Sequence, residues 1–244
     1  HIMIATILAA GMSRRLRPLT DTQPKCLLKV GQRSLLGRAF DALYGAGVED
    51  FVIVTGYRDE MIQSFLRNNY PFLNISFVKN ADYESTNSLY SLWMARKLVA
   101  GQQMMLLDSD ILLEPDLIRR LEEEEESVLA YRKGNIDEDD MKVVTDTGGL
   151  VTEISRTCEV SEAVGEAVGV EKINADYSKA LFKELDTMVN DEHLTNSCYE
   201  LAFERLIHKG MKFRAIDTSD IFSAHLDSID DFKKAKESIN EEIF

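Results

Sequence analysis

Met3-Ile-Ala-Thr-Ile-Leu-Ala-Ala-Gly-Met-Ser-Arg-Arg-Leu-Arg-Pro-Leu-Thr-Asp-Thr-Gln-Pro-Lys25 is the stretch on which the fold turns. Met3–Leu8 is a short apolar run that reads as a buried strand. Ala9-Ala10-Gly11 ends it with small residues that let a ligand approach the backbone, and Gly11 supplies the freedom for a tight turn. The loop from Gly11 to Lys25 is polar and basic, with Pro18 and Pro24 opposing helix. Backbone N–H groups in such a turn can cradle phosphate oxygens, with Arg and Lys adding charge. No Gly-Lys-Ser/Thr follows, and there is no Gly-x-Gly-x-x-Gly. These two omissions argue against a P-loop NTPase and a dehydrogenase.

Outward from this loop the chain is acidic. Its 244 residues carry 28 Lys+Arg against 42 Asp+Glu, a formal charge of −14. Residues 1–38 run the other way: Arg14, Arg15, Arg17, Lys25, Lys29, Arg33 and Arg38 oppose the single acid Asp21. A compact cationic segment on an acidic body points to a local site for a small polyanion, because the whole-protein field would repel one. The same balance argues against nucleic acid as a partner. Apolar residues at 45% and charged residues at 29% are the mix of a soluble globular protein. No apolar run approaches the ~18 residues that span a bilayer and no secretory signal precedes the first strand, so no membrane partner is expected. Cys26, Cys158 and Cys198 fit neither a disulfide framework nor a Cys-x-x-Cys site, and a cytoplasmic setting is expected. His1, His193, His208 and His225 lack ligand spacing, which argues against a transition-metal site.

Further strands are expected over Phe51–Thr55, Ile75–Val78 and Met104–Leu107, with helices at about Ser34–Tyr44, Arg58–Asn68 and from Ser85–Asn87 through Arg96. The alternation predicts an α/β fold, a parallel sheet wrapped by helices. Glu114–Glu126 reads as a helix with Pro115 in its first turn and its run of glutamates as a solvated face. The second half is less regular. Strands are expected at Val128–Tyr131, Lys142–Thr145, Leu150–Ser155, Gly165–Ile173 and Met211–Ile216, and a short apolar piece at Ile221–Ala224. Helices are expected at about Asp176–Val189, Asn196–Lys209 and from Asp230. No repeat or linker divides the chain, so one domain is expected over residues 1–244.

Ala9-Ala10-Gly11-x-x-x-Arg15-Leu16-x-Pro18-Leu19-Thr20, followed by Pro24-Lys25, resembles the signature of nucleoside-diphosphate-sugar pyrophosphorylases and small-molecule cytidylyltransferases. The resemblance implies a Rossmann-like three-layer fold of the nucleotide-diphospho-sugar transferase type, its mixed, mostly parallel sheet wrapped by helices. It implies a nucleotide-binding half over residues 3–112 and an acceptor-binding half over 113–244. By the same resemblance Leu8, Ala9, Ala10, Gly11, Met12, Ser13 and Arg14 lie against the nucleotide, with Gly56 and Tyr57 at the next strand end. Arg15 and Lys25 then hold the triphosphate and the acceptor phosphate and carry the catalysis. Met12-Ser13-Arg14 departs from the family's frequent Gly-x-Gly or Leu-Gly-Ser, and its side chains narrow the loop. Lys29, Arg33 and Arg38 are expected on the solvated surface.

Asp108-Ser109-Asp110 ends the fourth strand, where ligands bind in open α/β sheets. Extended geometry points both aspartates to one face, about 6–7 Å apart. Nucleotidyl transfer needs a cation to offset triphosphate charge, and Mg²⁺ is commonly held by one or two carboxylates plus phosphates and waters. His225-Leu-Asp-Ser-Ile-Asp-Asp-Phe232 resembles the family's C-terminal Asp-Ser/Thr-x-x-Asp element. That resemblance makes Asp110 and Asp227 the magnesium ligands and leaves Asp108 to the nucleotide. Helix N-capping is the other reading of Asp227 and Ser228, and Asp217-Thr218-Ser219-Asp220 is a rival of similar spelling.

Asp82-Tyr-Glu-Ser-Thr-Asn-Ser-Leu-Tyr-Ser-Leu92 resembles the Tyr-x-x-x-Asn-x-x-Tyr-Ser-Leu element of cytidylyltransferases that act on phosphocholine or aminoalkylphosphonates. Asn87 and Ser88 then meet a pyrimidine edge, or serve as a helix cap. Asp140-Met141-Lys142-Val143 and Gly165-Glu166-x-x-Gly169 are similar to the same subgroup, whose central section builds the acceptor pocket. Lys142 is expected to meet the acceptor phosphate. Glu166, Glu171 and the pair Tyr199-Glu200 are expected to neutralise an amine or bind hydroxyls, with Glu200 the best placed. The reading is a Mg²⁺-dependent nucleotidyltransferase in which CTP activates a small phosphate or phosphonate such as phosphocholine or 2-aminoethylphosphonate, with a homodimer allowed. The alternative is a sugar-1-phosphate or inositol-phosphate nucleotidyltransferase using UTP, dTTP, GTP or CTP. A non-catalytic nucleotide sensor is opposed by the presence of Lys25, Arg15, Asp110 and Asp227 together.

Overall fold

Five of the six residues of β1 (Ile4–Ala9) are buried; the structure, a computed structural model, describes residues 2–240. His1 lies outside the described residues. The basic loop after β1 carries only two single-turn helices, Arg14–Leu16 and Lys25–Leu27, as its prolines require. A hairpin of β2 (Lys29–Val30) and β3 (Arg33–Ser34) leads into α1 (Leu35–Gly45), capped by Ser34 Oγ accepting from the Gly37 amide. Then come β4 (Asp50–Thr55), α2 (Asp59–Asn69), β5 (Asn74–Lys79), α3 (Ser88–Met94), α4 (Arg96–Val99) and β6 (Met104–Asp108).

β1 sits between β4 and β6, parallel to both, and β5 continues the parallel set beyond β4. Successive side chains of a strand face opposite sides. Ala5, Ile7 and Ala9 accordingly join a core with Phe40, Phe51 and Leu43, while Leu8 joins the core on the other face with Leu89, Phe203 and Phe213. Burial on both faces explains why these strands read as continuous apolar runs rather than alternating ones.

The later elements are β7 (Ile111–Leu113), α5 (Pro115–Glu122), β8 (Val128–Arg132), β9 (Lys142–Thr145), β10 (Val151–Ser155) and β11 (Gly165–Ile173). After them follow α6 (Ala175–Asp186), α7 (Glu200–His208), β12 (Arg214–Asp217), β13 (Ser223–His225) and α8 (Ile229–Ser238). β11 joins β6 antiparallel and extends the sheet to nine strands in the order β10-β9-β11-β6-β1-β4-β5, with β8 on β11 and β12 on β8. β7 and β13 form a separate ribbon pairing Ile111 with His225. No helix of the described residues is long and apolar enough to cross a membrane.

Four local expectations change. The helix expected to run to Glu126 stops at Glu122. Successive glutamates there would crowd negative charge onto the negative end of the helix dipole. The expected strand Met211–Ile216 forms only at Arg214–Asp217, beside β8. The helix expected from Asn196 begins at Glu200. Arg38, expected on the surface, is buried, with Nε 3.1 Å from the Val30 carbonyl oxygen, and so ties α1 to the β2–β3 hairpin.

Candidate active site

The C-terminal ends of β1 and β6 open into two adjoining cavities of about 310 and 530 Å³. The first is lined by Leu8, Ala9, Ala10, Gly11 and Ser13 of the loop, by Asn87 and Ser88 at the start of α3, and by Asp108. Arg14, Arg15, Asp227, Glu166 and His225 surround the second. Lys25, Asp108, Asp110, Arg156 and Glu200 border both.

Lys25 is the joint. The turn at Pro24 buries it to 6% exposure, and its Nζ lies 2.9 Å from Asp110 Oδ2 and 3.3 Å from Asp227 Oδ1. Two features of the sequence bring these distant acids together. Asp110 immediately precedes β7, and His225 pairs with Ile111 across the ribbon, so the chain delivers Asp227 beside Asp110. Ser228 then caps α8 by accepting from the Asp231 amide, while Asp231 accepts from the Asp227 and Ser228 amides. The cap thus falls to Ser228 and Asp231, and the Asp227 carboxylate stays on Lys25. Asp217, the rival, is bound instead to Ser219 and to Lys133 at 3.3 Å.

The electrostatics follow from burial and from these pairs. Burial pushes the Asp110 carboxyl up, but the charge and hydrogen bond of Lys25 outweigh it and hold the group below its usual value. Asp108 lacks such a partner, and burial followed by the Asp110 charge drives it well above the carboxylate range. Burial likewise raises Glu200, against the pull of its own main-chain N–H and of Arg156 and His225. His225 is carried up to about 9: burial opposes its charge, but Glu166, the Val168 carbonyl and Asp110 favour it.

Other expected residues stand behind the cleft. Gly56 backs the loop: a Cβ there would meet the Ala10 carbonyl at 2.7 Å and Tyr83 Cβ at 2.8 Å. The Tyr57 amide donates to that same carbonyl at 3.0 Å, and its hydroxyl bonds the Thr20 and Asp21 carbonyls. Gly56 and Tyr57 therefore shape the loop without lining either cavity. Met12 also lies off both linings, its sulfur 3.8 Å from an Arg14 nitrogen. Asn87 Oδ1 accepts from the Ser88 amide at 2.7 Å and Ser88 Oγ from the Tyr199 amide at 3.0 Å, so both residues cap and line at once.

Lys142 corrects an expectation. It is 1% exposed, and its ammonium is held by the main-chain carbonyls of Glu138, Asp140 and Arg156. An ammonium has three protons to donate, and all three are engaged away from the cavities. Glu171 is corrected likewise: it is fully buried, accepts from the Tyr199 hydroxyl at 3.0 Å, and borders neither cavity. Tyr199 lines the first cavity, with that hydroxyl turned to Glu171. Glu166 borders the second while held by Arg132 and His225 at 3.1 Å each.

Sequence reasoning missed Arg156, which borders both cavities and donates to the Asp139 carbonyl at 3.0 Å. No local motif marks it. His225 was visible within its motif but carried no ligand spacing. Asn80 and Tyr83 also line the first cavity, and Gly169 the second. Gly169 has φ +90°, and a Cβ there would meet Asp108 Oδ2 at 2.7 Å. Gly169 stood in the Gly165-Glu166-x-x-Gly169 element of the sequence; its approach to Asp108 could not be read there.

The two carboxylates reachable by one Lys25 nitrogen are hard oxygen donors, and magnesium needs only one or two of these besides phosphate and water. Among the described residues no cluster of three or more His, Cys, Asp or Glu is arranged to hold a metal by itself. The donor set therefore suits a magnesium ion that arrives with a nucleotide.

This sheet order and this cleft define the nucleotide-diphospho-sugar transferase type of α/β fold. The same arrangement recurs in the CTP:phosphocholine cytidylyltransferase of Streptococcus pneumoniae, with a TM-score of 0.76 at 23% identity over 97% of this chain and 99% of that one. At that identity the likeness speaks for the fold. The chain belongs to the family of the MobA-like NTP transferase domain, which it matches over residues 5–196. It is 34% identical over 117 residues to a CMP-5'-(3-aminopropyl)phosphonate synthase of Streptomyces rubellomurinus, covering 48% of this chain and 18% of that protein. It is 33% identical over 117 residues to a choline-phosphate cytidylyltransferase of Streptococcus pneumoniae, covering 48% of each. The matched stretch thus spans half or less of either relative.

Proposed function

We propose that the protein is a magnesium-dependent nucleotidyltransferase that uses CTP to activate a small phosphate or phosphonate, releasing pyrophosphate. The observation that carries this reading is Lys25 Nζ lying between Asp110 and Asp227 beside the loop at the end of β1. Both named relatives are cytidylyl-type enzymes acting on a phosphate or a phosphonate, which supports the nucleotide and the acceptor class. The nine-stranded sheet runs through both halves of the chain and supports one domain.

In this reading the first cavity takes the nucleotide, with main-chain amides of the Ala9–Ser13 loop against its phosphates and Asn87 and Ser88 toward the base. The second takes the acceptor, whose phosphorus oxyanion attacks the α-phosphorus in line. The bond from the α-phosphorus to the bridging oxygen breaks, and pyrophosphate leaves with that electron pair. The attacking oxygen is already an anion, so no general base is required. The chain's task is alignment and charge stabilisation. Arg15 and Lys25 face the phosphates, and Arg156 supplies a cation between the cavities. Asp110 and Asp227 would hold magnesium, which when bound offsets triphosphate charge.

Pyrophosphate release tests the reading. CTP, UTP, dTTP and GTP are each offered with choline phosphate, 2-aminoethylphosphonate, inositol phosphate and several sugar 1-phosphates. Release is expected with CTP and an amino-bearing acceptor. Turnover confined to sugar phosphates would overturn the acceptor, and no release from any pair, with CTP still bound by a Lys25→Ala variant, would leave a nucleotide sensor.

A further inference from the structure

The strand that delivers Asp227 has little of its own to hold it. β7 and β13 are three residues each and form a sheet of two strands, and so short a ribbon is marginal by itself. Side chains of the main sheet tie it down. Arg132, at the end of β8, donates through Nη1 to the Ser223 carbonyl and through Nη2 to Glu166 Oε2 at 3.1 Å. Glu166 lies directly across from Arg132 in the register of β11 on β8, and its other oxygen is 3.1 Å from His225 Nδ1. That register then shifts between Ala167 and Glu171, and within the shifted stretch the Val168 carbonyl lies 2.6 Å from His225 Nε2. Irregular strands beside a cleft commonly re-aim a group in this way. One carboxylate thus joins β8, β11 and β13, and Arg132 borders neither cavity.

We infer that Glu166 is a positioning residue: with Arg132 it fixes β13 so that the Asp227 carboxylate, two residues beyond His225, stands beside Asp110. Ser228 holds the chain after Asp227 by capping α8, and the ties at Ser223 and His225 hold it before. The inference rests on reading Asp110 and Asp227 as the magnesium carboxylates. It takes Glu166 away from the acceptor, because each of its oxygens is already spent on a neighbouring side chain. Groups that orient a metal's ligands govern its affinity without touching it.

The test measures Mn²⁺ binding to the protein by electron paramagnetic resonance, with CTP present and no acceptor, so that no turnover occurs. The dissociation constant for Mn²⁺ should rise on the order of tenfold in Glu166→Gln and also in Arg132→Met. Charge alone predicts opposite signs, because losing an acid weakens a cation site and losing an arginine tightens it. A rise in both therefore reports position. Adding Glu166→Gln to Asp227→Asn should change the constant no further, since the effect passes through Asp227. With metal saturating, the acceptor KM of Glu166→Gln should stay within about twofold of wild type. Should Arg132→Met fail to fold, Arg132→Lys keeps the charge but has one nitrogen for two partners, and carries the same expectation. An unchanged or tighter constant in the Arg132 variant overturns the inference. So does an acceptor KM that rises in Glu166→Gln while Mn²⁺ affinity holds. If Asp227→Asn alone leaves Mn²⁺ affinity intact, Asp227 leaves the metal reading itself and this inference goes with it.

Discussion

The two walls of the cleft are built from different materials. The wall at the end of β1 is main chain and small side chains, Ala9, Ala10 and Gly11, with Gly56 behind them leaving no room for a Cβ. The facing wall is charged side chains drawn from separate elements: Arg156, Glu166, Glu200, His225 and Asp227. The first wall is therefore sensitive to bulk and tolerant of charge elsewhere, and the second is sensitive to charge. Lys25 belongs to the loop but binds acids of the far wall, so it couples the two.

The sharpest way to break this coupling is Lys25→Ala. It removes the cation that binds the paired acids and that, in the proposed mechanism, meets the phosphates, and kcat/KM should fall by roughly 10²–10³-fold, about 3–4 kcal/mol of transition-state stabilisation. Steady-state pyrophosphate release measures it, and unchanged turnover would take Lys25 out of the mechanism. Next in size is Gly56→Ala on the other wall. The added carbon meets main-chain oxygen at 2.7 Å, so the loop must shift, at a cost of about 1–3 kcal/mol. The dissociation constant for CTP should rise on the order of tenfold, with little change in the preference among acceptors. If acceptor preference shifts while nucleotide affinity holds, the walls do not divide the substrates as argued.

The same contrast governs what the sequence disclosed. The first wall comes from two short segments, residues 8–25 and 108–110, that lie at strand ends, and the family signature they resemble was enough to expect Lys25 and Asp110 near a phosphate. Asp227 was found through its motif, although the ribbon that pairs His225 with Ile111 and so carries it there was not foreseen. Arg156 went unseen because its place depends on how β10 meets the Asp139 carbonyl, a tertiary fact with no local period. Lys142 was read as functional because Asp140-Met141-Lys142-Val143 resembles the section that builds the acceptor pocket in the cytidylyltransferase subgroup. Its partners decide otherwise: carbonyls lock a loop, whereas carboxylates facing a cavity make a site.

Lys142→Met tests that distinction with a smaller effect. Methionine fills similar space but leaves the carbonyls of Glu138, Asp140 and Arg156 without their donor. The cost should fall on stability, about 1–3 kcal/mol, seen as a lower Tm. An acceptor KM that rises as steeply as the Lys25→Ala loss, at unchanged Tm, would return this ammonium to the cleft.

Glu171→Gln probes the floor shared by both walls, and the sign of its effect is fixed by protonation. Burial, with the charges of Glu200 and Asp108 added, holds the Glu171 carboxyl well above its usual value of 4.5. Below that value both folded and unfolded chains carry the proton, and the group contributes no pH dependence. Above it the unfolded chain releases the proton while the folded chain retains it, so folding is disfavoured progressively as pH rises toward the folded value. The slope cannot exceed one proton, about 1.4 kcal/mol per pH unit. Glutamine removes the titration and still offers the Tyr199 hydroxyl an acceptor. Tm measured from pH 5 to 8 should therefore fall less steeply for Glu171→Gln than for the wild type, the two curves separating toward high pH. Parallel curves would mean that Glu171 is ionised in the folded protein, and that the carboxylates beneath the cleft do not restrain one another's charge.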